Sequence, residues 1–153
     1  MKNILFVCTG NTCRSPMAEA ILKHKYPSQF NVKSAGVYAG QGMPASEGTQ
    51  NALQAKGIPC EHQSQPVSKE VIDWADLILT MTEEHKQALI MEFPETGRKV
   101  FTLKEYVNID SNESRDIMDP FGGPQHVYEK TFEELEKYVE LLVEKLENED
   151  EIG

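Results

Sequence analysis

Four apolar residues, Ile4-Leu5-Phe6-Val7, run straight into Cys8-Thr9-Gly10-Asn11-Thr12-Cys13-Arg14-Ser15-Pro16. A continuous apolar run is what a strand buried on both faces of a parallel sheet requires, since a half-exposed strand would alternate with polar residues. The switch to small polar residues ends that strand, and Ser15-Pro16 reads as an N-cap followed by proline at the first helical position. A strand, a short loop and a helix in immediate succession commit the chain to an α/β arrangement. The same loop can aim consecutive backbone N–H groups, a helix N-terminus and the Arg14 guanidinium at one point beside Cys8. Such a point suits a tetrahedral dianion, with the cysteine at its centre as nucleophile.

The remaining pattern alternates in the same way. Ile4 to Cys8 is the first strand, and Met17, Ala20, Ile21 and His24 continue a helical face after it. Asn31 to Val37 reads as a second strand, followed by a glycine- and proline-rich loop from Ala39 to Pro44. A helix from Ser46 to Lys56 stops at Gly57, before Pro59. Lys69 to Trp74 is a short helix, Leu77 to Met81 a strand, Glu83 to Glu92 a helix and Val100 to Leu103 a fourth strand. An irregular stretch from Asn108 to Gln125 carries Asp-Pro and Gly-Gly-Pro punctuation. Tyr128, Phe132, Leu135, Val139, Leu142 and Leu146 then recur at helical spacing. The expectation is one α/β domain over 1–153, a four-stranded parallel sheet with helices on both faces. Ligands of such sheets bind at the carboxyl ends of the strands, where Cys8 lies.

At 153 residues, 39% hydrophobic and 26% charged, the chain suits a soluble domain with one well-buried core. The first apolar run is too short for a signal-peptide core, and no segment is long enough to span a bilayer. The net charge of −10 opposes non-specific nucleic-acid binding. Ten acidic residues and three lysines from Glu129 onward carry −7 of it, as a solvated helix face and tail would. Three cysteines, two of them in the loop, do not make a disulfide scaffold and fit a reducing cytoplasm. No metal, nucleotide or membrane contact is expected, and a monomer is.

A free thiol, with a reference pKa of about 8.5, is a poor nucleophile until it ionises, and amide dipoles, a helix N-terminus and a guanidinium all favour the thiolate. The backbone of Thr9, Gly10, Asn11, Thr12, Cys13 and Ser15 can bind phosphoryl oxygens, while Arg14 grips two of them with its planar fork. Ser15 can donate to the sulfur when it must leave again. Asn11 tolerates left-handed backbone and can hold the loop open, and Gly10 lets the backbone approach the anion. No Gly-Lys-Ser/Thr nucleotide loop and no dinucleotide glycine fingerprint competes. A proton donor is also needed, and Asp119-Pro120-Phe121 is the best candidate, with Asp116 and Asp110 as rival acids. Phe121 offers an aromatic wall beside it. Cys13 either fills space behind the loop or traps an oxidised Cys8 as a disulfide.

Val7 to Glu19, together with Asp119-Pro120-Phe121 and Ser34-Ala35-Gly36, resembles the low-molecular-weight protein-tyrosine-phosphatase family over essentially the whole chain. That resemblance implies a flavodoxin-like fold of the phosphatase I type, no cofactor, Cys8 as nucleophile, Arg14 as phosphate clamp and Asp119 as general acid then base. It further implies that Asn11, Ser15, Ser34 and His62 brace the loop. Thr12, Asp119-Pro120-Phe121-Gly122-Gly123 and Thr102-Leu103-Lys104-Glu105-Tyr106 resemble the family's bacterial protein-arginine phosphatases instead of its tyrosine-specific members, which carry a bulky aliphatic residue at the Thr12 position. A phosphoguanidine presents N–H donors that a threonine hydroxyl can accept and an isoleucine would leave unpaired. The resemblance thus implies arginine-phosphorylated protein partners and a role in stress response, with tyrosine-phosphorylated proteins as the alternative. An arsenate reductase would relay oxidation through further cysteines, and Cys60 has no partner nearby in sequence. A silent phosphoprotein-binding module would need neither Cys8 nor Asp119.

Overall fold

The computed structural model describes residues 2–107 and 114–152, with side chains to Glu149. Four strands, β1 (Lys2–Cys8), β2 (Phe30–Gly36), β3 (Leu77–Thr80) and β4 (Val100–Thr102), form one all-parallel sheet in the order β2-β1-β3-β4. The expected α/β class and four-stranded parallel sheet are therefore present. Helices α1 (Arg14–Lys25), α2 (Glu47–Ala55), α3 (Lys69–Trp74), α4 (Glu83–Glu92), α5 (Leu103–Tyr106) and α6 (Gln125–Ile152) surround it, with a 3₁₀ turn at Pro94–Arg98.

The two-residue period of a strand divides the apolar run between two cores. Ile4, Phe6 and Cys8 face one side with Met17, Ile21 and Leu22 of α1, Leu53 of α2 and Phe132, Leu135 and Leu142 of α6. Leu5 and Val7 face the other with Val71 and Ile72 of α3 and Leu89 of α4. β3 divides likewise, Leu77 and Leu79 to the first core and Ile78 to the second. Both faces of β1 are thereby sealed, which is why its sequence does not alternate.

Parallel pairing brings the carboxyl ends of β1 and β2 level, with Cys8 beside Gly36. β1 is flanked by β2 on one side and β3 on the other, so the chain's winding reverses there and leaves a crevice above Cys8. Gly36 admits the following loop: a Cβ at that position would overlap the Thr9 carbonyl oxygen and lie 2.9 Å from the Asn11 nitrogen.

Local details depart from the expectations. Ser15 is not the N-cap of α1: the helix begins at Arg14, Cys13 holds the cap position without a side-chain bond, and Pro16 falls in the first turn. The Ser15 hydroxyl is diverted to the loop it follows, which outweighs capping. The buried face of α1 is Met17, Ala18, Ile21 and Leu22, with His24 exposed, because α1 is packed between the sheet and α6. β2 lies one residue earlier than expected, and Leu103 belongs to a helix. Thr102-Leu103-Lys104-Glu105 closes a capping box, with the Thr102 hydroxyl accepting from the Glu105 amide and the Glu105 carboxylate accepting in return. Of the irregular stretch, residues 114–124 are described and contain no regular element. Along α6 the acidic side chains Glu129, Glu133, Glu140 and Glu144 face solvent, as the charge run suggested.

Candidate active site

β1 ends by placing Cys8, 2% exposed, at the floor of the crevice. Asn11 turns the loop back: it is the one non-glycine residue with positive φ (56°) among those described, a conformation asparagine tolerates. Its fully buried amide then ties the loop to its own end and to the segments behind it. Nδ2 donates to Ser15 Oγ (2.8 Å) and to Ser34 Oγ (2.9 Å), while Oδ1 accepts from the Gln65 amide (2.9 Å). The Ser34 hydroxyl in turn donates to Glu19 Oε1 (2.6 Å). Since Ser15 Oγ already accepts from Asn11, its hydrogen is free to point at Cys8 Sγ, 2.9 Å away. The His62 Nε2 to Asn11 carbonyl contact (2.6 Å) completes the bracing. Asn11, Ser15, Ser34 and His62 thus sit together behind the loop, and the side chains of Asn11 and Ser15 do not line the cavity in front of it.

That cavity, about 200 Å³, is lined by Cys8, Thr9, Gly10, Thr12, Cys13, Arg14, Asp119 and Phe121. Arg14 is 4% exposed, and its Nη1 donates to the Ile117 carbonyl (2.9 Å). Its Nη2 lies 3.5 Å from Asp119 Oδ2, and its buried Nε has no partner among the described residues. An orphaned guanidinium N–H beside a buried thiol marks a place for an anion's oxygen. A larger cavity of about 410 Å³, lined by Pro16, Glu19, Cys60 and His62 among others, has no arginine.

The Asp119 segment is tied to the sheet by Ile117, buried, whose amide donates to the Met81 carbonyl (2.8 Å) just past β3. Asp119 Oδ1 accepts from the Phe121 amide (3.0 Å), leaving Oδ2 facing Arg14. The Gly123 amide bonds the Pro120 carbonyl (2.9 Å) across Gly122, whose φ of 80° explains the Phe-Gly-Gly sequence as a turn. Phe121 is left 75% exposed, a free ring over the crevice. Of the rival acids, Asp116 accepts from the Glu83 amide (2.9 Å) at the start of α4 and does not line the cavity, and Asp110 lies outside the described residues. Cys60 lines the larger cavity and one other, and not the cavity in front of Cys8. Among the described residues no group of three or more His, Cys, Asp or Glu side chains is placed to hold a metal ion.

Sequence reasoning missed His85. It occupies the first turn of α4, its amide bonded to Thr82 Oγ1 (3.1 Å), and its Nε2 meets Thr9 Oγ1 at 2.8 Å. The ring is buried, and its Nδ1 has no partner among the described residues. Burial first, and then the Arg14 guanidinium, push its pKa down from 6.5 to about 4, against weaker pulls from Asp116 and Asp119. A histidine depressed by folding is protonated first in the unfolded chain as pH falls. Stability is therefore lost between pH 6.5 and about 4, by about 1–2 kcal/mol once solvent screening is allowed for. Denaturant midpoints at pH 7 and pH 4.5 should show a smaller acid-side loss in His85→Gln than in the parent chain.

The geometry of a thiol, a guanidinium and a carboxylate on one cavity has close parallels. The family model described as low molecular weight phosphotyrosine protein phosphatase matches residues 3–151. A protein-arginine-phosphatase of Geobacillus stearothermophilus is 50% identical over 146 residues, covering 95% of this chain and 97% of that protein. A protein-arginine-phosphatase of Bacillus subtilis is 44% identical over 147 residues, covering 94% and 96%. The solved structure of the YwlE arginine phosphatase from Geobacillus stearothermophilus superposes with a TM-score of 0.91 at 49% identity, covering 97% of this chain and 95% of that one. On the match across nearly its full length, this chain belongs to the low molecular weight phosphotyrosine protein phosphatase family.

Proposed function

We propose that this chain is a protein-arginine phosphatase that works through a phosphocysteine intermediate. The observation that carries the reading is one small cavity in which Thr12, Asp119 and Phe121 stand around Cys8 and Arg14. Naming of the two relatives as protein-arginine-phosphatases supports it.

In the first step the Cys8 thiolate attacks phosphorus while the P–N bond breaks. Arg14 and the loop amides hold the three non-bridging oxygens, and the orphaned Arg14 Nε supplies one of the donors. Asp119 gives its proton to the departing guanidino nitrogen, so the electron pair of the broken P–N bond is held as an N–H bond and arginine leaves with an ordinary guanidinium side chain and not as an anion. In the second step water attacks the thiophosphate, Asp119 takes a proton from that water, and sulfur leaves with inorganic phosphate released. Ser15, donating to Cys8 Sγ, stabilises the thiolate that departs.

Thr12 selects the leaving group. Its hydroxyl accepts from a guanidino N–H, and Phe121 stacks on the planar cation. The exposed Phe121 ring would stack on a phenol as well, which is what favours phosphotyrosine as a second reading. Changing Thr12→Ile decides between them. Specificity constants for phosphoarginine and phosphotyrosine peptides should show the arginine substrate losing roughly tenfold to a hundredfold, with the ratio turning toward tyrosine. Phosphoarginine activity that survives with no gain on phosphotyrosine would remove Thr12 from the account.

We place the chain's partners among phosphorylated proteins and its working state as a monomeric single domain in a reducing cytoplasm, in a stress-response role. All three cysteines are free thiols, and no described helix is long and apolar enough to cross a membrane.

A further inference from the structure

Thr12 is not alone on the cavity wall. Thr9 lines the same cavity from the other side of Gly10, exposed, with its hydroxyl 2.8 Å from the Nε2 of buried His85. The Thr9 backbone is fixed too, since its carbonyl accepts from the Tyr38 amide (2.9 Å). A β-branched side chain held at both ends has one orientation.

We propose that Thr9, positioned by His85, is a second residue selecting phosphoguanidine, its hydroxyl oxygen accepting a hydrogen bond from a guanidino N–H of the substrate. This rests on the phosphoarginine reading above and names the groups that enforce it.

A hydroxyl bonded to a neutral imidazole keeps part of its hydrogen-bonding capacity. If Nε2 carries the ring hydrogen, Thr9 Oγ1 accepts it and keeps one lone pair and its own hydrogen. If Nε2 is bare, Thr9 donates to it and keeps both lone pairs. Acceptor capacity toward the cavity survives in either tautomer, whereas donor capacity survives in only one. A phosphorylated guanidino group brings N–H donors to the wall; the phenolic oxygen of phosphotyrosine brings none. A protonated His85 would set a positive charge behind that wall, against a planar cationic group. The charged groups that act on the ring are Arg14, which opposes its protonation, and Asp116 and Asp119, which favour it. Burial and Arg14 prevail and hold the ring's pKa at about 4, so it is neutral at physiological pH. His85 itself touches no substrate atom in this arrangement and is a positioning residue.

The test compares kcat/KM on a phosphoarginine peptide with that on p-nitrophenyl phosphate in each variant. Because the two values come from one preparation, a partly unfolded variant lowers both and leaves their ratio unmoved. Thr9→Val should lower the ratio about tenfold, and Thr9→Ser, which keeps the hydroxyl, should stay within about threefold of the parent chain. His85→Leu should lower the ratio about fivefold through KM for the arginine substrate. His85→Gln, whose amide can reach the same hydroxyl, should recover most of that loss. The Thr9→Val/His85→Leu double variant should fall no further than Thr9→Val alone, as two parts of one device do. A ratio unmoved by Thr9→Val, or losses that simply add in the double variant, would overturn the inference. A parent chain inert toward phosphoarginine defeats the substrate reading and this inference together, whereas an active parent with an unmoved Thr9→Val ratio defeats the inference alone.

Discussion

Cys8→Ser should reduce turnover of phosphoarginine and of simple aryl phosphates alike by roughly four to six orders of magnitude. The loss is large because a serine hydroxyl, far less acidic than a thiol, stays un-ionised where the thiolate attacked. It is common to both substrates because the same sulfur attacks phosphorus whichever group departs. The substitution is nearly isosteric in a site where Ser15 Oγ sits 2.9 Å from the sulfur, so a hydroxyl can keep that contact. Thermal unfolding within a few degrees of the parent chain would show that the fold is intact, and steady-state phosphate release reads the activity. Retention of more than about one part in a hundred of the parent rate would mean that another nucleophile does the chemistry.

Asp119→Asn should cost about two to four orders of magnitude in kcat on phosphoarginine. A guanidine cannot depart as an anion, since even its neutral form is basic enough to hold a further proton at neutral pH and the anion would be far more basic still, so proton donation is obligatory for that leaving group. p-Nitrophenol departs as an anion unaided, and the same variant should lose far less on its phosphate ester. The carboxylate is placed for this, with Oδ1 held by the Phe121 amide and Oδ2 turned toward Arg14. Asparagine preserves the shape and the turn while removing the transferable proton. Equal losses on the two substrates would assign Asp119 to binding instead of proton transfer.

The parts of this molecule that were legible in the sequence are those governed by local periodicity or by one short segment. Ile4 to Val7 announced a strand sealed on both faces, and α3 and α4 fell on the expected residues. The Cys8 to Arg14 loop carried its own chemistry because all its members lie within one turn of chain. What could not be read locally is what the fold alone juxtaposes. The Ser15 hydroxyl looked like a cap, yet Asn11 and Cys8 claim it once the loop curls. Ser34 and His62 entered only through family resemblance, since nothing in their own segments shows that β2 and the 59–66 segment close behind the loop. His85 was invisible: its contact with Thr9 spans 76 residues and depends on α4 beginning beside the end of β1. The short helix α5 was the avoidable omission, because the Thr102 to Glu105 capping pattern is a local signal.

On the proposed function, the cavity hydrolyses the P–N bond of phosphoarginine in preference to the P–O bond of phosphotyrosine. The direct measurement is a side-by-side determination of kcat/KM on peptides identical except for the phosphorylated residue, at neutral pH and without added metal. A higher value is expected for the phosphoarginine peptide, with activity on both abolished by Cys8→Ser. A higher value for the phosphotyrosine peptide would contradict it.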